Sequence, residues 1–323
     1  MYRLVIGAKT TGKIYDVTNT VTEVVVSTQR KTSAGKMTFA WIKTGETVSF
    51  HEGDIVRLEE DGQLVFYGWV FTKVKDRWNR FTVTCYDRLR YLKANASYAF
   101  YGRTAGDIIK EIAEDLQLEV GEIADTGYQI PSLIKSNQSC LDIIQTALDL
   151  TLLNTGRVFV LYDDGQGLAL KASDEWVSNY VIGDKSYMTD YSYKTDIDES
   201  TANYVKLAYQ NQSTGRTDVV VAQDSYNIGR WGMLQQYTQV NGNYNTAQLQ
   251  AMANQMLENA NRRKKSFSAE ALGITGLRAG QMIRIYINAL GDIDQLDRYL
   301  LLESVTHHYY NDSHTMEFET LEV

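Results

Sequence analysis

The chain is poor in the residues that cross-link or interrupt a fold. Its 323 residues include one proline, Pro131, and two cysteines, Cys85 and Cys140. The cysteines have no C-x-x-C spacing, which favours free buried thiols over a disulfide or metal framework. Pro131 lies in a predicted loop, where its missing N–H donor costs little.

Long apolar runs and an excess of basic residues are also absent. No stretch reaches the length of a membrane span, and the apolar run at residues 1–7 is too short for a signal peptide. The net charge of -8 argues against a general nucleic-acid binder, although it leaves room for a nucleic acid passing nearby. We therefore expect a globular protein of two or three domains that is made in a cytoplasm and kept there unless a dedicated machine exports it.

The most informative stretch that is present runs over residues 53–87, because a diverged copy of it closes the chain. Its alternating apolar residues predict two strands joined by an Asp61-Gly62 turn and followed by a third strand over residues 81–86. The residues that match at one constant offset are Gly53, Val56, Arg57 and Leu58 with Gly280, Ile283, Arg284 and Ile285. Upstream, residues 36–40 with Gly45 correspond loosely to residues 265–269 with Gly273. One strand-rich module is used twice.

Helical patterns are confined to two places. Thr104 and Ser139 each open a T/S-x-x-D-I-I segment, in which the hydroxyl and the carboxylate form a capping pair at a helix start. A longer apolar stripe predicts a helix over residues 246–263, ended by the basic run 262–265. The fold class is therefore α+β and mainly β: a first small barrel at residues 1–97, a two-helix α+β insertion at 98–185 and a second barrel at 186–323.

Candidate catalytic or metal-binding groups are few. Of the adjacent His307 and His308, only one can join His314 across a hairpin, and half-exposed histidines are the more common outcome. Asp196, Asp198 and Glu199 form an acidic loop that is most simply solvated. Nucleophile-elbow, phosphate-loop and dinucleotide-binding patterns are absent. We expect no catalytic residue, no cofactor and no metal.

The order of these segments resembles the tail hub proteins of contractile-tail phages and phage-tail-like bacteriocins of the PBSX prophage type. More distantly, it is similar to late control gene D proteins, the T-even baseplate hub and the N-terminal part of type VI secretion spikes. The residues that carry the resemblance are those at 53–56 and 66–70, Tyr86-Asp87-Arg88 with Tyr91-Leu92, both T/S-x-x-D-I-I helix starts, Asp224-Ser225 with Gly229 and Gly232, residues 277–280 and the closing histidine-containing strand pair.

The resemblance implies two tube-like barrel domains per chain in a homotrimer, whose six barrels form a ring on a hexameric tail tube. It also implies a central spike protein below the ring, a baseplate wedge or LysM-type protein beside the insertion, and DNA passing through the lumen without specific binding. No membrane partner is implied. Such a hub is assembled in the bacterial host cytoplasm and ends in the virion or tail particle. We further hypothesise that acidic residues partly line the lumen, where like charge keeps DNA from sticking.

Six residues are structural or interface candidates: Gly53, Arg57, Gly68, Trp69, Gly280 and Arg284. The glycines at 53 and 280 are expected to set the turn that leads into each module, and the arginines to be strand-edge contacts or solvated residues. Two other classes stay open. One is a peptidoglycan-degrading tail hydrolase that uses carboxylates such as Asp196 and Glu199. The other is a carbohydrate-binding β protein that uses some of the 22 tyrosines.

Overall fold

The computed structural model describes residues 1–42, 48–198, 201–210, 216–240, 245–288 and 295–321. These residues form two compact units. Unit 1 contains Met1–Ser192 and Ser268–Leu321, and unit 2 contains Tyr193–Phe267. Strands predominate and helices are few, so the predicted α+β, mainly β class is confirmed. The three-domain division remains a prediction.

The first part of unit 1, module 1, is built from antiparallel strands. They are β1 (Tyr2–Ala8), β2 (Lys13–Asp16), β3 (Val21–Gln29), β4 (Lys36–Ile42), β5 (Ile55–Glu60), β6 (Gln63–Lys75) and β7 (Arg80–Tyr86). Their order in the sheet is β3-β4-β7-β6-β5-β1-β2. Period-two alternation buries one side of each strand, as in β5, where Val56 and Leu58 are buried and Arg57 is exposed. The predicted turn at Asp61-Gly62 is confirmed, since both residues have positive φ.

The insertion follows module 1 and has its own core. Its elements are β8 (Asn95–Thr104), α1 (Ala105–Asp115), β9 (Val120–Ile123), β10 (Gln129–Ser139), α2 (Cys140–Thr155), β11 (Phe159–Asp163) and β12 (Leu168–Ala172). Both predicted helix starts are confirmed: the Thr104 hydroxyl accepts from the Asp107 N–H, and the Ser139 hydroxyl accepts from the Asp142 N–H, each at 3.1 Å. The apolar stripes of both helices pack together with β8 and β10. Two further strands, β13 (Val177–Gly183) and β14 (Met188–Asp196), come next.

Unit 2 is a small three-stranded sheet covered by a helix. Its elements are β15 (Tyr204–Gln210), β16 (Thr217–Gln223), α3 (Ser225–Trp231), β17 (Gln235–Val240) and α4 (Thr246–Ala260). Leu249 and Ala253 of α4 pack on Val205 and Leu207 of the central strand. The helix ends at Ala260, and the basic run 262–265 is not in its last turn. The interpretation of that run as a helix-terminal charge cluster is therefore wrong.

Module 2 contains the strands β18 (Lys264–Leu272), β19 (Met282–Ile287), β20 (Leu296–Tyr310) and β21 (Ser313–Leu321), which belong to unit 1 apart from residues 264–267 of β18. The sheet order β14-β18-β21-β20-β19-β13 repeats the module 1 order β3-β4-β7-β6-β5-β1 position by position. The outermost pair differs, because β13 runs parallel to β19 whereas β1 runs antiparallel to β5. The two modules form one continuous sheet, in which β20 pairs with β3.

Candidate functional site

The lead-in turns of the two modules, residues 51–54 and 278–281, have the same backbone hydrogen bonds. Gly53 N–H donates to the Val70 carbonyl, and Gly280 N–H donates to the Leu302 carbonyl, both at 2.8 Å. The strands return the bond: Val70 N–H donates to Asp54 O and Leu302 N–H to Gln281 O, both at 2.9 Å. The φ angles are +87° at Gly53 and +93° at Gly280, a region that favours glycine.

The match continues beyond the turns. The long strand of each module carries a β-bulge one step after the residue bound by the glycine, between Val70 and Thr72 in β6 and between Leu302 and Ser304 in β20. Bulges are specific local features, so two at equivalent places indicate one duplicated module rather than two similar sheets.

The strand upstream of each lead-in turn shows where the sequence alignment slipped. The first residues after the two bulges, Thr72 and Ser304, are equivalent. Across the neighbouring strands they lead to Thr38 of β4 and Ser268 of β18, respectively. The preceding residues, Met37 and Phe267, are therefore also equivalent, and both are buried. The sequence match of residues 36–40 with 265–269 had placed Thr38 against Phe267, one residue out. A one-residue slip exchanges the two faces of a strand. Gly45, part of the same sequence match, lies outside the described residues.

Arg57 and Arg284 occupy equivalent exposed positions. Arg57 stands opposite Tyr67, and Arg284 stands opposite Tyr299, on the outer faces of β5 and β19. Each guanidinium has an acidic partner: Arg57 lies 2.6 Å from Glu59 Oε1, and Arg284 makes two bonds of 2.8 and 2.9 Å to Asp297. The side chains remain 53% and 44% exposed, so both charges are accessible to a partner.

Gly68 and Trp69 pack within unit 1. A Cβ at Gly68 would stand 2.3 Å from the Tyr86 carbonyl oxygen, so the close approach of β6 to β7 requires glycine there. The Trp69 ring packs edge-on against the Tyr91 ring, with 5.5 Å between the two ring centroids. The Arg88 guanidinium carbon also lies 5.5 Å from the centroid of the Trp69 ring. These two candidates are part of the packing between β6 and the segment that leads to the insertion.

A buried polar chain joins the two modules. His307 Nδ1 lies 2.9 Å from His314 Nε2, and His314 Nδ1 lies 3.0 Å from Glu60 Oε1. Thr275 donates to the other Glu60 oxygen at 2.5 Å, so two residues from the last part of the chain, Thr275 and His314, hold the carboxylate of Glu60 in β5. His307 is thus the one of the adjacent pair that meets His314, while His308 faces the opposite side of β20. Sequence spacing had indicated the hairpin but not Glu60, which is distant along the chain.

A second buried cluster connects the insertion with both modules. Asp163 accepts from the Arg88 N–H at 2.9 Å and from its guanidinium at 2.8 Å. Arg278 donates to the Asp163 carbonyl at 2.8 Å, and its guanidinium lies 4.7 Å from the Tyr162 ring centroid. Burial, with the charge of Asp163, raises the pKa of Asp87 to about 8. Most polar groups of this cluster bind each other or the backbone, whereas the buried Nε of Arg278 has no hydrogen-bond partner among the described residues.

Of the two carboxylates of the hydrolase hypothesis, only Asp196 is among the described residues. Asp196 is ion-paired with Lys194 at 2.9 Å, and its Oδ1 accepts from the Asp198 N–H at 3.2 Å. Glu199 lies outside the described residues. Within the described ranges, no group of three His, Cys, Asp or Glu side chains could hold a metal ion. None of the helices among those residues is long and apolar enough to cross a membrane.

Comparison with known proteins agrees with this architecture. The chain is 34% identical to protein YqbQ of Bacillus subtilis (strain 168) over 85% of its own length and 82% of that protein. It is 31% identical to the phage-like element PBSX protein XkdQ of the same organism, with 85% and 83% covered.

Solved structures share the fold at low identity. The tail protein from Neisseria meningitidis MC58 has a TM-score of 0.69 at 14% identity, covering 100% of this chain and 96% of that one. The E. coli c3393 protein, a type VI secretion component similar to the T4 tail proteins gp27 and gp5, has a TM-score of 0.54 at 9% identity, with 94% and 73% covered. The family model described as YQBQ-like matches residues 24–321, and the chain therefore belongs to the YQBQ-like family.

Proposed function

We propose that this chain is the structural baseplate hub of a contractile phage tail or phage-tail-like bacteriocin. In this role it is a homotrimer that joins a six-fold tail tube to a three-fold central spike, and it performs no catalysis. The relative XkdQ belongs to a phage-like element, and the fold is shared with a Neisseria tail protein and with a secretion component similar to gp27 and gp5. These likenesses support a place in a tail or baseplate.

The observation that carries the adapter role is the duplicated lead-in turn. Two modules in one chain share strand order, glycine turn, bulge and an outward arginine. Three chains supply six such modules, so a trimer presents six nearly equivalent surfaces to the tube while keeping three-fold symmetry towards the spike. A single-module protein would need a separate adapter to do this.

The proposed partners are those that the resemblance to tail hubs implies. The tail tube protein would meet the ring of modules on one side and the spike protein on the other. The insertion would lie outside the ring, towards a wedge or LysM-type baseplate protein. Assembly in the bacterial cytoplasm would place the hub in the finished particle.

One hollow of unit 1 supports an acidic lumen. A cavity of about 510 Å³ is lined by β3, β14, β18, β20 and β21, and carries Glu270, Glu317 and Glu319 among serines and threonines. The described residues that line it include no lysine or arginine. Carboxylates on a channel wall would repel passing DNA. A density map of the particle in which this face points away from the channel would rule out the idea.

Native mass spectrometry and electron microscopy of the purified chain test the adapter role. The expected species has three times the chain mass of 36.7 kDa and appears as a ring with six lobes. A protein that stays monomeric at micromolar concentration and binds neither tube nor spike protein would contradict the proposal. A wall-lysis assay should show no activity, and lysis that is lost on substituting Asp196 and Glu199 would favour the hydrolase.

A further inference from the structure

The two-stranded sheet of the insertion, β8 with β10, is covered on one face only. On its inner face Phe100 stands opposite Leu133, and both residues are buried in the core that α1 and α2 form with the sheet. Within the described part of the chain, neither strand pairs with a third strand. Because side chains alternate along a strand, the neighbouring residues of both strands point to the other face.

That outer face carries two large apolar side chains. Ala99 stands opposite Ile134, and Tyr101 stands opposite Ser132. All four residues are exposed, and Tyr101 and Ile134 are each 64% exposed. These two are diagonal neighbours on the same face, so one partner can contact both. We call the surface formed by these four residues the β8–β10 face.

Helix α1 places carboxylates beside the β8–β10 face. Asp115 accepts from the Tyr98 hydroxyl at 2.8 Å, and Glu111 lies 3.9 Å from the Arg103 guanidinium. Glu114 follows Glu111 by three residues and therefore lies on the same side of the helix. Arg103 is the one basic residue of β8, so three carboxylates and a single cation border the strand.

The insertion holds the whole net charge of the chain. Residues 95–176, from the start of β8 to the turn after β12, contain 13 aspartates or glutamates and five lysines or arginines. The rest of the chain has 27 of each kind. The net charge of -8 therefore lies in the insertion, while the remainder of the chain is balanced. A second copy of this chain has no net positive charge to offer to the insertion, and a nucleic acid would be repelled.

We propose that the β8–β10 face docks a basic segment of another protein of the baseplate. Apolar side chains of that segment pack on Tyr101 and Ile134, and its lysines or arginines lie beside Glu111, Glu114 and Asp115. The desolvated apolar pair supplies most of the affinity, and the opposite charges select and steer the partner. This inference rests on the hub role proposed above and specifies which surface of the insertion meets its neighbour and the chemistry of that neighbour.

Photo-cross-linking in the assembled particle identifies the occupant. Tyr101→p-benzoylphenylalanine places a photoreactive group on the β8–β10 face, and mass spectrometry of the illuminated particle identifies the attached peptide. The expected product joins this chain to a different protein, at a segment with more lysine and arginine than aspartate and glutamate. The same group at Leu153, which is 78% exposed on α2, is the control and should not give this product.

Substitutions measure what each part of the surface contributes. The double variant Tyr101→Ser with Ile134→Ser should weaken binding of the purified cross-linked protein by at least about thirtyfold, the effect of losing an interface anchor. Leu153→Ser should bind like the wild type. Because these side chains are exposed, the melting temperature and the native mass of the hub should not change.

A charge reversal tests the electrostatic part separately. Glu114→Lys should weaken binding of the same protein and reduce its dependence on salt concentration, since screened opposite charges contribute to the contact. Glu258→Lys makes the same change of charge on an exposed position of α4 in unit 2, and it should leave binding and salt dependence unchanged.

The outcomes separate this docking surface from the hub role. A cross-link to a second copy of this chain, a cross-link to a segment without excess positive charge, or no cross-link would overturn the docking surface. Wild-type binding by the Tyr101→Ser, Ile134→Ser variant would also overturn it. None of these results changes the trimer mass or the binding of tube and spike proteins, on which the hub role depends.

Discussion

The rings of His307 and His314 share a hydrogen bond in which His307 is the acceptor. Nε2 of His307 lies 2.6 Å from the Leu277 carbonyl oxygen, which can only accept, so Nε2 carries the hydrogen. Nδ1 of the neutral ring therefore accepts from His314 Nε2 at 2.9 Å. His314 Nδ1 lies 3.0 Å from Glu60 Oε1, and a hydrogen bond between these two atoms requires a hydrogen on one of them. Protonating His307 would put two donors face to face.

This relationship predicts loss of stability in mild acid. Burial lowers the pKa of His307 to about 4, below the value of about 6.5 in an unfolded chain. The unfolded state binds more protons between these values, so the free energy of unfolding falls as the pH drops from about 6.5 to about 4. This residue contributes about 1.4 kcal/mol per pH unit.

His307→Gln should lower that slope, because the glutamine amide can donate to Leu277 and accept from His314 without titrating. His314 keeps its own contribution, since burial also lowers its pKa to about 4. Denaturant unfolding at pH 7, 6 and 5 measures it, with His308→Gln on the other face of β20 as the control. The raised pKa of Asp87 has the opposite effect: its contribution to the free energy of unfolding falls as the pH rises from about 3.8 to about 8. Asp87 is present in the wild type and in both histidine variants, so it does not affect the comparison. Equal slopes in wild type and His307→Gln would refute the assignment.

The two lead-in glycines predict unequal costs for the same substitution. The Cβ of an alanine at Gly53 would meet no atom within 4 Å. The expected loss in the free energy of unfolding, about 1–2 kcal/mol, therefore comes only from holding an alanine at positive φ. Alanine at Gly280 would also place its Cβ 2.6 Å from Val160 Cγ1, adding about 1–3 kcal/mol of overpacking. Denaturant unfolding of both variants gives the comparison.

A second-site change isolates the steric part. Val160→Ala removes the colliding methyl groups, so the double variant Gly280→Ala with Val160→Ala should lose less stability than the sum of the single changes. Combining Val160→Ala with Gly53→Ala should be additive. Equal losses for the two glycine variants would show that Val160 moves away at no cost.

The duplication was visible in the sequence because it rests on local signals. Gly53 and Gly280, the alternating strands and both T/S-x-x-D helix starts are set by φ angles, side-chain period and capping within a few residues. The sequence match of β4 with β18 is one residue out because it pairs Lys36 with Lys265 and Ala40 with Ala269, whereas the structure makes the buried residues Met37 and Phe267 equivalent. Strand register is fixed by neighbouring strands, which the sequence does not show.

The polar clusters escaped prediction for a related reason. Glu60 meets His314, and Arg88 meets Asp163, across long chain separations, so no motif connects them. The one available signal was chemical: an arginine and an acidic residue near strand ends in a mainly β protein. Such residues are common on surfaces, and only the packing of the insertion on module 1 shows that these two are buried.

The Arg88–Asp163 pair predicts a large effect on the attachment of the insertion. Their side chains are 10% and 2% exposed, and the Arg88 guanidinium donates to Asp163 at 2.8 Å, while the Arg88 backbone N–H, which a substitution keeps, donates at 2.9 Å. Arg88→Met would leave the Asp163 carboxylate buried without its cation, so we expect a loss of about 3–5 kcal/mol in the free energy of unfolding. Arg157→Met is the matched control: Arg157 pairs with Asp174 and Glu175 on the surface, where little change is expected. A small loss for Arg88→Met would mean that water reaches Asp163.

Arg57 and Arg284 predict a docking defect without a folding defect. Both are exposed, and their ion pairs lie at the surface, so reversing them together by Arg57→Glu and Arg284→Glu should leave the melting temperature and the native trimer mass nearly unchanged. If the arginines face the tail tube, the trimer should no longer cosediment with tube protein, because six favourable charges become six repulsive ones. Arg157→Glu, which reverses an exposed, ion-paired arginine of the insertion, should cosediment normally. Cosedimentation of the double variant at the wild-type level would show that the two arginines are solvated strand residues with no part in the ring's contact with the tube.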